Sequence, residues 1–386
     1  MKKFFYVAAA FLAAGFVSCS EYNNDFTAPV AGSDYTPIRF DLGNGRVSIE
    51  QQKAAATRGK GAVGDLAGDK NVWKGETLKI YMFDQGTLDL ALDKTGDGTT
   101  PLFNNAEIMA GTGNDTVIVE TQKFYPMQGN YDFFAYHVDD AAVGVDVVET
   151  ADVFTLPVTI DGSQDLMVAK AELTADQINI LSAEKANDYY SAFSARKGIN
   201  PHFTFKHLLT RFTFEVKADK DVDVANVRIT GVNVSNANTT AKMVVAYTTA
   251  PAEFLGNQAN PDTLYLKDAN GAAFAAVNPS ITEYNRIGES LLLMPQAEYK
   301  MEFNIEQTVN GETRNINYPV ILTAAELGVG QGVFEAAKQY NVKLTLYGLS
   351  EIVLRLELTA WEDGGDINVD DNNDVTIEYI TPENRN

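Results

Sequence analysis

The sequence predicts an all-β protein built from two tandem antiparallel β-sandwich domains, with few short helices. Short runs of β-branched and aromatic residues recur along the chain, and turn residues separate them. Helical patterning is sparse, and each half of the chain carries a similar number of candidate strands. Hydrophobic residues make up 45% of the chain, including 21 Phe and 17 Tyr, so it can bury a sizeable core without disulfides.

The composition excludes several classes of protein. With 386 residues, the chain is long enough for about two or three ordinary domains. Its 52 acidic and 30 basic residues give a formal net charge of -22, which would repel the phosphates of nucleic acid. One cysteine cannot form an internal disulfide, and a multi-histidine metal site would need nearly all of the three histidines. We therefore expect no nucleic-acid partner and no cofactor.

Residues 1–18 have the pattern of a secretory signal peptide. Lys2 and Lys3 precede the apolar run Phe4–Val17, whose roughly 14 residues are fewer than the roughly 20 that a membrane-spanning helix needs. Cys19, the only cysteine, follows directly, at the position where a bacterial lipoprotein carries its lipid. We expect lipidation at Cys19. The alternative is a plain signal peptide with an incidental cysteine.

Within residues 19–58, the segment Thr36–Glu50 stands apart with its own strand pattern. Ile38, Phe40 and Leu42 alternate with polar residues, and the pair Asn44-Gly45 is typical of a hairpin turn. A tract of small residues and glycines follows at 51–61, and we expect it to be exposed and accessible to proteases.

The body of the chain divides near residues 195–201 into an N-terminal domain, 59–200, and a C-terminal domain, 201–386. Two segments have helical patterning, Leu173–Ala186 and Ala324–Tyr340. Strands are predicted at Glu76–Asp84, Asp115–Glu120, Asn130–Val138, His202–Phe205, Arg211–Lys217, Val227–Val234, Lys242–Thr248, Ser290–Met294, Tyr299–Gln307, Arg314–Ile321, Asn341–Gly348 and Glu351–Trp361.

A last strand stands apart in the tail, residues 370–386. It follows an Asp- and Asn-rich stretch and places Val375, Ile377 and Tyr379 on one face. Because any open sheet edge supplies backbone hydrogen bonds, such a strand could pair with its own sheet or with another molecule. The alternatives are therefore a donated strand and an ordinary edge strand of its own domain.

No catalytic or metal-binding pattern emerges, so the sequence does not predict an enzyme. His137, His202 and His207 lie in aromatic strand regions, which favours structural roles over a metal site. The acidic loops 93–98 and 363–374 offer oxygen ligands but lack the spacing of an EF-hand, and we interpret them as solvated loops. Gly328–Gly332 lacks the residues of a phosphate-binding loop, which indicates a turn.

The order of several short motifs after the lipoprotein signal resembles that of the Bacteroidetes fimbrillins, the subunits of lipoprotein-derived (type V) pili. The resemblance covers most of the chain. It is carried by Thr57-Arg58, Trp73, Gly75–Phe83, Tyr131–Tyr136, Asp165–Met167, His207, Arg211–Phe214, Leu293–Gln296 and Trp361–Gly364.

The resemblance implies a fold of two transthyretin-like sandwiches and a specific assembly route. An arginine-specific protease would remove a leader, residues 19–58, together with its strand, and a terminal strand of a neighbouring subunit would fill the groove that opens. Carried onto this sequence, Arg58 is the first choice of cleavage site, and Arg46 and Arg39 are the runners-up. The remaining alternative is that the chain undergoes no programmed cleavage. Val375, Ile377 and Tyr379 would be the donated side chains.

The resemblance also implies partners and a location. The subunit would polymerise head to tail with itself and would meet anchor and tip subunits. The precursor would be lipid-anchored in the cell outer membrane, and the processed chain would join an extracellular fimbrium that contacts a host or bacterial surface ligand. The alternative is a tip adhesin or a surface glycan-binding lipoprotein, although Trp73 and Trp361, the only tryptophans, sit at structural positions of the resemblance.

Overall fold

The chain folds almost entirely into β-strands, which confirms the predicted all-β class. The computed structural model describes residues 35–42, 76–94, 98–110, 117–118, 122–139, 146–181, 190–220, 222–256, 258–328, 332–346, 352–360 and 375–379. Among these residues there are three short α-helices, α1 (Ala175–Leu181), α2 (Ala192–Ala195) and α3 (Ala324–Leu327), and one turn of 3-10 helix at Val224–Asn226.

The described strands number twenty-one, and most of them pair antiparallel. The first twelve are β1 (Thr36–Pro37), β2 (Asp41–Leu42), β3 (Thr77–Asp84), β4 (Ala106–Ala110), β5 (Val117–Ile118), β6 (Phe124–Tyr125), β7 (Tyr131–Val138), β8 (Val148–Glu149), β9 (Val153–Thr159), β10 (Leu166–Lys170), β11 (His202–Phe203) and β12 (Lys206–His207). The others are β13 (Thr210–Ala218), β14 (Val227–Tyr247), β15 (Ala259–Tyr265), β16 (Asn285–Leu293), β17 (Glu298–Val309), β18 (Glu312–Thr323), β19 (Lys338–Leu346), β20 (Ile352–Ala360) and β21 (Val375–Tyr379).

In the six-stranded sheet that packs against the leader, called the first sheet, the central strands β7 and β3 are buried on both faces. Its strand order is β12-β10-β7-β3-β4-β5. In β3, Ile80 and Met82 face one core while Tyr81 and Phe83 face another. Strands covered on both sides read as continuous apolar runs, which explains why TLKIYMFD and YDFFAYHV show little alternation.

Two further sheets enclose a third core. One has the order β16-β13-β19-β20-β21, and the other has the order β18-β17-β14-β9-β8, with β15 added to β14. Side chains such as Phe212, Phe303 and Tyr340 fill the space between them. The pairing of β13 with β19 is parallel over eight residue pairs, and it interrupts the otherwise antiparallel five-stranded sheet.

The structure corrects one prediction, at strand β14. The sequence predicts separate strands at Val227–Val234 and Lys242–Thr248, whereas the structure has a single strand from Val227 to Tyr247. Its partner changes along its length from β17 to β15 to β9, with register shifts where it bends. Asn236 is a residue type that is common in turns, but here its side chain forms hydrogen bonds to strand β17. Its Nδ2 donates to the Glu298 carbonyl, and its Oδ1 accepts from the Lys300 amide.

The helix predicted at Ala324–Tyr340 is wrong beyond its first turn. Helix α3 ends at Leu327, and Gly328 takes a left-handed conformation with φ of 68° that caps its C-terminus. Residues from Lys338 onward belong to β19. The predicted helix at Leu173–Ala186 forms from Ala175 to Leu181, and residues 182–189 lie outside the described part. The domain boundary near residue 200 stays a prediction.

Candidate functional site

The described part of the leader, residues 35–42, crosses the aromatic core of the first sheet as an extended segment. Strand β1 pairs antiparallel with β6, which sets Thr36 opposite Tyr125 and Pro37 opposite Phe124. Strand β2 then pairs parallel with β11. Between the two strands, the Ile38 amide donates to the Lys123 carbonyl at 2.9 Å. The leader is thus a paired element of the fold.

Alternate side chains of the leader point into this core. Ile38 is 3% exposed and Phe40 is 6% exposed, whereas Arg39 between them is exposed. The Phe40 ring lies 5.4 Å from the Phe103 ring and 5.9 Å from the Phe203 ring, measured between centroids. This burial agrees with the alternation of the sequence. The surface beneath the leader is called the leader groove; its lining includes Phe103, Tyr125, Phe133 and Phe203.

Two polar side chains hold the leader by hydrogen bonds, one to its backbone and one to a side chain. Gln122 Nε2 donates to the Ile38 carbonyl at 2.9 Å and to the Lys123 carbonyl at 2.8 Å. Arg196 Nη1 donates to the Thr36 hydroxyl at 3.2 Å. Arg196 directly follows helix α2 as its C-cap residue. A reciprocal capping box between Ser191 and Ser194 stabilises the N-terminus of α2, and the helix in turn positions Arg196.

The leader groove is apolar and electrically neutral at its base. Burial raises the pKa of Tyr125 well above its ordinary value of 10, and burial raises the pKa of Tyr131 to about 12. Both phenols therefore stay uncharged at any physiological pH. An extended segment with apolar side chains at alternate positions is the ligand that such a groove suits, since it supplies both backbone bonds and hydrophobic contact.

Of the predicted cleavage and lipidation sites, only Arg39 lies among the described residues. Arg39 is exposed, but its neighbours Ile38 and Phe40 are buried, so the chain around it is not free to enter a protease. Arg58, Arg46 and Cys19 lie outside the described residues.

The predicted donor strand pairs with its own chain in this structure. Strand β21 lies antiparallel to β20, with Val375 opposite Leu356, Ile377 opposite Leu354 and Tyr379 opposite Ile352. It is the outermost strand of the five-stranded sheet, so within the described residues its only strand neighbour is β20. This arrangement matches the edge-strand alternative for the isolated chain. It does not test donation to another molecule.

The three histidines occupy structural positions. His207 is buried, and its Nδ1 lies 2.9 Å from an oxygen of the buried Asp165 carboxylate. His137 Nδ1 lies 2.8 Å from the Thr77 carbonyl oxygen, and its Nε2 lies 3.5 Å from the Asp139 carboxylate. His202 pairs through its backbone with the leader residue Asp41.

Two further findings concern metals and membranes. Within the ranges that the structure describes, no group of three or more His, Cys, Asp or Glu side chains is placed to hold a metal ion. Across the same ranges, no helix is long and apolar enough to cross a bilayer.

Sequence reasoning did not identify the residues that line and close the groove. Phe103, Gln122 and Arg196 come from three separate places in the chain, and nothing in their local patterns indicates that they meet the leader. Of the features of this site, only the alternation of apolar and polar residues within the leader could be predicted from the sequence.

Comparison with known proteins shows which of them the chain is similar to. Several solved structures resemble it at low identity. A fimbrial protein from Bacteroides vulgatus has 13% identity and a TM-score of 0.48, with 84% of this chain and 99% of that chain covered. The fimbrial anchor protein Mfa2 from Porphyromonas gingivalis has 12% identity and a TM-score of 0.35, with 84% and 98% covered. A protein assigned to cell adhesion from Bacteroides uniformis has 17% identity and a TM-score of 0.48, with 85% and 98% covered.

No curated protein matches the sequence significantly. The sequence profile of a family described as fimbrillin-like matches residues 67–361. Because this match spans most of the 386 residues, the chain belongs to the fimbrillin-like family.

Proposed function

We propose that the protein is a structural, non-enzymatic subunit of a cell-surface fimbria that polymerises by strand exchange after its leader is cut away. The observation that carries the proposal is the burial of Ile38 and Phe40, because these leader residues lie upstream of Arg46 and Arg58 and yet fill the core of the first sheet. Removing the leader would expose the groove, and an exposed apolar groove with open backbone groups must be refilled.

Export as a lipoprotein is the first step of this proposal. The signal pattern of residues 1–18 and the position of Cys19 support a diacylglyceryl anchor on the precursor. The precursor would sit in the outer membrane, and the processed chain would enter an extracellular fimbrium. Anchor and tip subunits would be its other partners.

Cleavage acts by changing the competition for the groove. While the leader is covalently attached, it occupies the groove as an intramolecular ligand, with an effective concentration on the order of millimolar. After the cut, the leader competes as a free peptide at low concentration. Arg58 is favoured over Arg46 because it lies in the tract of small residues. Arg39 is disfavoured because buried residues flank it.

The tail of a second subunit is the proposed replacement strand. Each large side chain that enters the groove would contribute about 1.5–3 kcal/mol before ordering costs. Strand β21 lies at a sheet edge, so it can leave its own sheet with the loss of one ladder. A contact between the tail of one copy and the groove of the next is heterologous and open-ended, which is the symmetry of a filament.

The test uses the precursor from Ser20 onward, which keeps every described residue and lacks the only cysteine. Digestion with an arginine-specific protease should release a fragment that ends at Arg58 and should yield heat-resistant ladders of subunits. The matched variants are Arg58→Lys and Arg46→Lys, since each keeps the positive charge but removes the protease site.

Arg58→Lys should block both cleavage and ladder formation, whereas Arg46→Lys should leave both intact. Ladders from the Arg58→Lys chain would overturn the site assignment. A chain that is cut at Arg58 and loses its leader but stays monomeric would contradict the shaft-subunit role. It would favour the tip adhesin or glycan-binding alternative.

A further inference from the structure

We propose that the incoming tail enters the leader groove in the same direction as the leader and in one register, with Val375 at the site of Thr36, Ile377 at that of Ile38 and Tyr379 at that of Phe40. This inference rests on the proposed function and adds the direction and register of the strand. It makes the tail a structural copy of the leader segment that it replaces.

The direction follows from the two ladders that the leader leaves behind. The leader runs antiparallel to β6 and parallel to β11 at the same time. A strand with the same direction restores both pairings, including the bond from the Ile38 position to the Lys123 carbonyl. A reversed strand would be parallel to β6 and antiparallel to β11, so it would restore neither of the two hydrogen-bond patterns that the leader makes.

The register follows from the side chains. Thr36, Ile38 and Phe40 are the buried leader positions, and the tail offers Val, Ile and Tyr at the same spacing. Both segments therefore contain isoleucine followed two residues later by an aromatic ring. In the reversed direction, valine would occupy the aromatic site between Phe103 and Phe203, and it would leave much of that site empty.

The exposed position and the residues that pair with β11 also correspond between the two segments. Arg39 is exposed in the leader, and the tail has the charged Glu378 at the equivalent place. The described pairing of β2 with β11 covers Asp41 and Leu42, which are equivalent to Ile380 and Thr381 in this register. Both tail residues precede Pro382, so each keeps the backbone N–H that proline lacks.

Disulfide trapping tests the register directly. Pro37 lies opposite Phe124. The next pair, Ile38 and Lys123, is joined by a backbone hydrogen bond, so Pro37 and Phe124 form a non-hydrogen-bonded pair. Side chains at such a pair are close enough for a disulfide. In the proposed register Thr376 takes the place of Pro37. In the reversed register Glu378 does so. The precursor from Ser20 onward contains no cysteine of its own.

Two double variants are compared after protease treatment and mild oxidation, Phe124→Cys with Thr376→Cys and Phe124→Cys with Glu378→Cys. The pair with Thr376→Cys should give at least about tenfold more reducible intermolecular ladder, because only that pair meets disulfide geometry. Equal trapping, or more trapping from Glu378→Cys, would overturn the register.

A composition-preserving swap provides a second readout that does not depend on Phe124. The double variant Ile377→Tyr with Tyr379→Ile keeps the size and hydrophobicity of the tail but exchanges its anchors. It should assemble at least about tenfold more slowly than the native chain, since each anchor then meets the wrong site. Tyr379→Phe, which restores the leader's ring, should assemble normally. Equal rates for the swap and the native chain would overturn the register.

The two proposals fail in different ways. If the native precursor is cut and does not assemble, strand exchange itself is refuted, and the register falls with it. If the native chain assembles but trapping favours Glu378→Cys, or the swap has no effect, only the register is refuted.

Discussion

The ring of Phe40 lies 5.6 Å from the ring of Phe133, edge to face, although Phe40 belongs to a leader and Phe133 to a central strand of the first sheet. Edge-to-face pairs of this kind add to the hydrophobic free energy of burial. The leader segment therefore stabilises the fold, and in the proposed mechanism the replacement strand has to compensate for its loss.

Replacing Phe40 with alanine should destabilise the precursor. Truncation of a buried phenylalanine typically costs about 3–5 kcal/mol, and local detachment of the leader would set the upper limit. The free energy of unfolding from urea titration measures the effect. Arg39→Ala is the control, because its exposed side chain should change that free energy by less than about 0.5 kcal/mol. Equal effects of the two variants would mean that the leader is not bound through its buried face.

Deleting residues 375–386 should leave a folded subunit that does not polymerise. Among the described strands, β21 pairs with β20 alone and lies at the edge of its sheet, so its loss should affect stability less than assembly. The measurement is gel mobility of the deletion variant after protease treatment, together with its melting curve. Heat-resistant ladders from the deletion variant would exclude the tail as the donor.

Pro319 should keep one long sheet edge from recruiting other strands. Strand β18 has β17 as its only described neighbour, and the ladder between them runs unbroken across Pro319. The N–H that proline lacks would therefore point outward, so Pro319 interrupts the row of donors on the open edge. Pro319→Val should increase lateral association of subunits, as measured by sedimentation at high concentration.

Asn317→Val is the matched control for Pro319→Val. Asn317 is also exposed and lies two residues away, on the same side of β18. The control adds the same apolar side chain without restoring a backbone donor. If both variants associate equally, the effect comes from hydrophobicity, and the edge-protecting role of proline is wrong.

His137 should make the stability of the precursor depend on pH. Burial alone would lower the pKa of His137, but its contacts with Asp139 and the Thr77 carbonyl outweigh burial and raise the pKa above its ordinary value of 6.5. A raised pKa in the folded state means that this stabilisation is complete below pH 6.5 and is lost as the pH rises through the folded value.

His137→Gln should therefore flatten the decline in unfolding free energy as the pH rises above 6.5. His202→Gln, at a half-buried position on β11, controls for the loss of an imidazole as such. An unchanged pH profile in His137→Gln would show that another group governs the dependence.

Most of the strands could be predicted because each one depends mainly on the alternation or the apolar run of its own residues. The alternation of Ile38 and Phe40 predicted a half-buried leader strand, and the structure buries both. Continuous runs such as Tyr131–Val138 also predicted strands, although the pattern alone does not say that both faces are covered.

What the sequence did not reveal depends on contacts between distant residues. Asn236 has turn chemistry, but a neighbouring hairpin satisfies its side chain and lets β14 continue. Strand β9 went unpredicted because Pro157 lies within it, and proline is tolerated there since β8 pairs only with residues 154 and 155. The groove residues Phe103 and Gln122 become neighbours of the leader only through the tertiary fold.

Hydrogen exchange across the assembly cycle tests the central claim most directly. The amides of 122–125 and 202–203 border the leader, so their exchange reports whether the groove is occupied. We expect them to be protected in the precursor, to exchange faster once the leader is cut and released, and to regain protection in filaments. Continued protection after leader release, or fast exchange in filaments, would contradict the claim that one groove binds the leader first and a neighbour's strand afterwards.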